Sequence, residues 1–373
     1  MSASVVEVVR VDTPTRSYDV VVGHDLLDEI GQRMLSVCPG ESAMVVTDAN
    51  VAPLYLQRVR SSLEAAGYRV GSVTIPAGEQ HKRFSTFELI VESMAEEGLT
   101  RDSVVVALGG GVVGDMAGFA AASYMRGIKV VQAPTTLLAM VDSSVGGKTA
   151  IDLKAGKNLV GAFLQPSLVV ADVACLRTLT QEVFADGLGE VVKHGVLADP
   201  SLLAKLEENP PTRDSDLDYL ARIVARNVQI KRDVVNADER EHGLRQTLNL
   251  GHTLGHAIEA ASGFSLGHGH CVAAGLCCVA RGTEALGWTD RGLASQIERC
   301  IGSLGLPTDT KLSHETLLAF ATHDKKRHGE SVNLVVPERI GSCVVRKTSF
   351  AELAEVIRLG CGTSTQADGE ATA

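Results

Sequence analysis

The feature that most constrains this chain is a change of texture near residue 172. Before it, β-branched runs at 43–47, 69–75, 103–108, 129–132 and 168–171 alternate with stretches of helical periodicity. That alternation predicts an α/β domain with a largely parallel sheet. Runs at 5–11 and 18–22, parted by Asp12-Thr13-Pro14-Thr15, predict a peripheral hairpin ahead of it. After residue 176, Leu, Ala, Glu and Arg fill long stretches at 217–235, 248–261, 272–285 and 294–304. The second part is therefore predicted to be mostly α-helical, with β-like runs at 332–336 and 343–346 as the exception. With 373 residues there is chain enough for two cores. The expected division is 1–176, 177–360 and a small, polar, disordered tail at 361–373. No Gly/Ser-rich linker separates the halves, so a ligand-holding cleft is expected where they abut.

Composition narrows the function classes. Thirty-five Lys and Arg against 45 Asp and Glu leave a formal charge of −10, which argues against a general nucleic-acid surface but permits a local basic pocket for a small anion. The longest apolar candidates, at 130–141 and 271–280, fall short of the roughly 20 residues a bilayer requires, so no membrane association is expected. The N-terminal residues lack the pattern of a signal peptide. Eight scattered cysteines without a C-x-x-C pair read as reduced thiols of a cytoplasmic protein.

Three segments carry candidate chemistry. Gly109, Gly110, Gly111 and Gly114 follow a predicted strand, open a helical stretch and satisfy the spacing G-x-G-x-x-G, which lets backbone amides approach a pyrophosphate. The acidic ribose partner of a plain dinucleotide fold is missing, because the strand at 129–132 ends in Gln132. Asp48 and Asn50, after an earlier strand, are the substitutes. Next, Gly146-Gly147-Lys148 is no P-loop, since Asp142 stands where that motif needs its first glycine. Lys154, Lys157 and Asn158 follow closely, and together they form a basic segment suited to phosphate or carboxylate.

The histidines give the sharper signal. Five of the 11, at 242, 252, 256, 268 and 270, fall within 29 residues. His252 and His256 are four apart, so on a helix they share a face. Thr253 takes the place of the glutamate in H-E-x-x-H, which excludes that metalloprotease motif. Two histidines with a carboxylate from elsewhere, such as Glu190, would make a common catalytic zinc set, and Lys193 lies one turn from that glutamate. Arg245, Asn249 and His256 recur at roughly helical spacing, and Asp324-Lys325-Lys326-Arg327 adds a late basic cluster.

With these residues in place, the chain resembles the 3-dehydroquinate synthase family of sugar-phosphate cyclases over about residues 5–360. Long blocks carry the resemblance: Pro76-Ala77-Gly78-Glu79-Gln80-His81-Lys82, 109–127, 134–149, Lys157-Asn158-Leu159-Val160-Gly161, 189–193, 231–256 and Asp324-Lys325-Lys326. The resemblance implies an NAD-binding α/β domain, a helical domain for metal and substrate, one zinc or cobalt ion, and a homodimer. It puts Glu190, His252 and His268 on the metal. It puts Asp48, Glu79, Lys82, Gly111, Asp115, Thr135, Thr136, Asp142 and Lys157 around NAD. Lys148, Lys193, Lys231, Arg245, Asn249 and His256 would act on an anionic sugar-phosphate substrate, with Arg126, Asn158, Lys325 and Lys326 binding it and Arg126 reaching across a dimer interface. The implied reaction converts 3-deoxy-D-arabino-heptulosonate 7-phosphate to 3-dehydroquinate and phosphate.

One departure concerns the metal set. Where the family commonly has His-Gly-Glu, this chain reads His268-Gly269-His270, so His270 offers altered electrostatics or a competing ligand, while His268 keeps the ligand position. His242 and His194 match no functional position. Lys231, Arg245, Asn249 and the cluster at 324–326 favour a substrate carboxylate, against sedoheptulose-using cyclases. An aminodehydroquinate synthase is the nearest alternative. Iron-type alcohol dehydrogenases share the plan but need no such phosphate set, and an inert NAD-binding homologue would have lost Glu190 or Lys148.

Overall fold

A computed structural model describes residues 4–322 and 330–362. The chain divides into two compact units. The first holds residues up to Gly187 together with Pro211–Arg245; the second holds Leu188–Pro210 and the described residues from Gln246 on.

The first unit contains β1 (Ser4–Asp12), β2 (Ser17–His24), β3 (Ser42–Asp48), β4 (Arg69–Ile75), β5 (Val104–Gly109), β6 (Lys129–Pro134), β7 (Lys148–Leu153), β8 (Gly156–Phe163) and β9 (Leu168–Asp172). Seven of them form one sheet in the order β1-β2-β9-β6-β5-β3-β4. All its pairings are parallel except β1 with β2. The reason is legible in the strands: Ala43, Met44, Val45 and Val46 of β3 and Val105 and Val106 of β5 are fully buried, as strands covered on both faces must be. The hairpin at 5–11 and 18–22 forms as expected, but it is not merely peripheral. Val20 and Val22 of β2 are fully buried, and β2 joins the parallel sheet through β9.

Strand order reverses between β3 and β5, because β4 lies on one side of β3 and every later strand of the sheet lies on the other. In open α/β sheets, ligands bind beside the carboxyl ends of the strands at such a switch point. The register pairs Thr47 with Leu108 there, so Asp48 and Gly109 occupy the neighbouring strand ends.

The helix Gly111–Ser123 packs Val113, Met116, Ala117, Ala120 and Ala121 on the sheet. It sits close because its inward positions are small: a Cβ at Gly114 would lie 2.9 Å from Gln132 Oε1, and one at Gly118 2.4 Å from Thr149 Cγ2. Gln132 Nε2 donates to the Gly114 carbonyl at 3.2 Å. The amide that replaces a ribose-binding acid thus braces the glycine helix. β7 and β8 pair as a separate antiparallel hairpin, where the sequence suggested only a lysine-rich turn. The helix Leu217–Ala237, which the expected boundary at 176 assigns to the second part, belongs to this first unit, packed against β1 and β2.

The second unit is built around the helix His268–Ala285, whose buried face includes Cys271, Ala274, Cys278 and Val279. The helices His252–Ala261 and Phe350–Gly360 and a hairpin of β10 (Ser331–Arg339) with β11 (Ser342–Ser349) share its core. No helix among the described residues is long and apolar enough to cross a membrane.

Candidate active site

In the second unit, two close backbone approaches assemble the histidines. A Cβ at Gly189 would lie 2.2 Å from Gly269 O, so the helix Gln181–Ala198 meets the helix His268–Ala285 where Glu190 and His268 stand. A Cβ at Gly275 would lie 2.5 Å from Gly255 N, which seats the helix His252–Ala261 on the same partner. His252 Nε2 and His268 Nε2 then stand 3.6 and 3.4 Å from Glu190 Oε1. The His256 ring is 5.1 Å from that of His252 and 5.7 Å from that of His268, and the ligand nitrogens of the three lie within 4.8 Å of one another.

The other ring nitrogens are committed elsewhere. His252 Nδ1 lies 3.0 Å from Leu250 O, and His268 Nδ1 lies 3.3 Å from Glu259 Oε2. A backbone carbonyl can only accept, so His252 donates from Nδ1 and keeps a lone pair on Nε2, the tautomer a metal ligand needs. Burial holds His252 down at about 3, hence neutral. Burial also opposes protonation of His268, but its hydrogen bonds to Glu190 and Glu259 outweigh this and raise it to about 10. Lys193 is buried and ion-paired with Glu190. This donor set, two imidazoles and one carboxylate with outer hydrogen-bond anchors, fits a divalent cation. Glu259 was not foreseen. It stands seven residues after His252 on the same helix face, a buried carboxylate, and that spacing was its signal.

In the first unit the glycine turn lies at the switch point. Gly110 precedes the helix, where a Cβ would lie 3.3 Å from Thr136 Cγ2, and Thr135 N donates to Gly109 O at 2.9 Å. Thr135 Oγ1 and Ser144 Oγ are buried and have no hydrogen-bond partner among the described residues. Asp48 Oδ1 accepts from Asn50 N and Val51 N at 2.8 and 3.0 Å and so shapes the turn after β3, with Asn50 exposed. Lys82, 3% exposed, donates at 2.5 Å to both Asp115 Oδ2 and Asn158 Oδ1. Burial opposes its charge, but Asp115 and Glu79 outweigh that and raise its pKa. Lys157 pairs with Glu79 at 3.0 Å. A backbone amide turn at a helix start, flanked by orphaned buried hydroxyls and carboxylates, fits a dinucleotide.

Around Lys148 the pairing is also internal. Its ammonium meets Glu241, while Lys231 bonds both the carboxylate and the carbonyl of Asp142. Arg245, 1% exposed, donates from Nη2 to Gly146 O at 3.0 Å and from Nη1 to Glu239 O, and its Nε has no partner among the described residues. Its guanidinium lies over the Phe163 ring at 5.9 Å. Burial lowers its pKa. Glu241 was missed because its partner lies 93 residues away. Arg126 is exposed with φ 67°, Asn249 is half-buried in the turn Leu244–Asn249, and His256 is exposed. His270 is half-buried and His242 exposed, while His194 is fully buried. Lys325 and Lys326 lie outside the described residues.

Comparison with known proteins gives this geometry its family. Residues 72–186 match the family model for the 3-dehydroquinate synthase N-terminal region, and residues 187–327 match that for its C-terminal region. The chain belongs to the 3-dehydroquinate synthase family. A 3-dehydroquinate synthase of Citrifermentans bemidjiense is 44% identical over 360 residues, covering 95% of this chain and 99% of that protein. Among solved structures, a 2-deoxy-scyllo-inosose synthase superposes with a TM-score of 0.85 at 23% identity, over 95% of this chain and 100% of its own. A 2-epi-5-epi-valiolone synthase from Streptomyces hygroscopicus subsp. jinggangensis, solved with NAD+ and Zn2+ bound, has a TM-score of 0.82 at 26% identity, covering 92% of this chain and 97% of its own.

Proposed function

We propose that this member of the family carries out the conversion of 3-deoxy-D-arabino-heptulosonate 7-phosphate to 3-dehydroquinate and phosphate, the second step of the shikimate pathway, as a cytoplasmic homodimer. The observation that carries the reading is the set Glu190, His252 and His268, each histidine anchored through Nδ1 with Nε2 facing the carboxylate. Glu190, His252 and His268 would hold one zinc or cobalt ion. Asp48, Glu79, Lys82, Asp115, Thr135, Thr136, Asp142, Lys157 and the turn at 109–114 would hold NAD, as the solved valiolone synthase holds NAD+ and Zn2+. When bound, these groups supply polarisation of a substrate hydroxyl and a hydride acceptor that later returns what it took.

The chain's own residues supply the rest. Lys148, Asn158, Arg245 and His256 bind the phosphate of the substrate and stabilise the charge that grows on it as it leaves. With those oxygens fixed, the departing phosphate itself takes the proton from the neighbouring carbon. Lys231 and Asn249, with Arg126, Lys325 and Lys326, hold the carboxylate end and keep the chain folded on itself for ring closure, where confinement outweighs any single base. Lys193 pairs with Glu190 and holds its carboxylate in place.

Phosphate release from the sugar phosphate by the purified protein, with catalytic NAD and Zn2+ or Co2+ and NADH absorbance followed in parallel, tests the reading. Stoichiometric phosphate without net NADH is expected, and EDTA abolishes it. Accumulating NADH would point instead to a dehydrogenase, and turnover of only the amino analogue to the amino sibling. A sedimentation mass of one chain would remove the homodimer.

A further inference from the structure

We propose that Tyr18 is a positioning residue for Lys148, resting on the catalytic role given to that lysine above. Tyr18 lies on β2, 1% exposed, and its hydroxyl accepts the Gly146 N–H at 3.0 Å across 128 residues of sequence. Arg245 Nη2 donates to the carbonyl of the same glycine at 3.0 Å, so Gly146 is held from both sides. Leu164 N then fixes the carbonyl of Gly147 at 2.8 Å.

These bonds matter because the segment has no stiffness of its own. Gly146 and Gly147 adopt φ of 95° and 70°, and glycine leaves such conformations as readily as it enters them. Lys148 follows directly as the first residue of β7. Its side chain is 50% exposed, and an ion pair at that exposure, here with Glu241, orders it only weakly. The place of its backbone is set by the turn together with its pairing to Phe163 on β8, and the turn is held by Tyr18 and Arg245. A phenylalanine at 18 would pack as the tyrosine does but leave the buried Gly146 N–H without its acceptor. The peptide would then rotate to find another, and the displacement would pass to Lys148.

The test is Tyr18→Phe in the full chain supplied with NAD and Zn2+, alone and combined with Lys148→Ala. The expected result is that kcat/KM for the sugar phosphate falls about tenfold, with NAD affinity unchanged within about twofold. In the Lys148→Ala background the same change costs less than about twofold. Wild-type activity in Tyr18→Phe overturns the proposal, and so does a tenfold loss in both backgrounds, which marks general structural damage. Amide exchange at Gly146 is an independent readout. It is slow in the wild-type protein and about tenfold faster in Tyr18→Phe. Should the wild type release no phosphate, the functional reading fails, while exchange still decides the inference: equal rates in both proteins overturn it. Should Tyr18→Phe not fold, free exchange of Gly146 in the wild type overturns it, and protected exchange supports it.

Discussion

The two units differ in what surrounds their charged groups. In the second, Glu190 is faced by two imidazoles whose far nitrogens rest on Leu250 O and Glu259, so the ligand set is held in place before any ion arrives. In the first, the candidate cations already have anionic or carbonyl partners: Lys148 has Glu241, Lys231 has Asp142, Lys82 has Asp115, Lys157 has Glu79, and Arg245 has two carbonyls. A cation entering the second unit meets ligands already gathered, and takes the place of the His268 proton and of Lys193 beside Glu190. An anion entering the first must replace internal partners, so its binding is an exchange whose net gain is smaller than the charge count suggests.

The largest expected effects lie on the metal set. His252→Ala or Glu190→Gln removes a proposed ligand, and bound zinc read by elemental analysis should fall below stoichiometric in either variant, with phosphate release lost. Next in size, Lys148→Ala should lower turnover by on the order of 10² to 10³ while NAD titrations stay near wild type, because the role proposed for the lysine is on developing phosphate charge. Equal loss of NAD affinity would contradict the exchange picture. Glu259→Gln keeps all three ligands but weakens the anchor of His268, and a competition titration should show metal affinity lower by about 10- to 100-fold.

The smallest effect concerns the loop that carries Glu241 and Arg245. Burial would raise the Asp238 carboxyl, but the backbone N–H groups of Arg245, Gly243 and His242 bring it down to about 2. A depressed carboxyl stabilises the fold above its unfolded pKa, near 3.8, and loses that contribution as pH falls toward 2. Thermal melts of Asp238→Asn should therefore show a constant deficit between about pH 5 and 8 that shrinks below about pH 4. A deficit that grows on acidification would mean that the carboxylate is not what holds the loop.

Much of this was legible in local pattern. The β-branched runs became β3 to β6 and β9, the glycine run became a strand-to-helix turn, and the i, i+4 histidines share a helix face, because each depends on spacing within a few residues. What stayed hidden depends on partners far apart in sequence. Lys231 and Asp142 looked like separate substrate and cofactor residues, yet they bond each other across 89 positions. The helix Leu217–Ala237 has a helical texture like its successors, and nothing in its own residues tells that it packs on β1 and β2. The β7–β8 hairpin was masked by lysines that read as a solvated run. Gln132 looked like a missing acid until the helix it braces was in view.

The proposed function stands on one set, Glu190, His252 and His268, holding the metal that the reaction needs. Titration of Co2+ into chelator-treated protein, followed by its visible absorbance and by phosphate release in the same sample, addresses it most directly. One equivalent is expected to bind per chain, with activity rising in step, and both to be lost together in His268→Ala. Full-affinity Co2+ binding in that variant, or turnover that persists without metal, would contradict it.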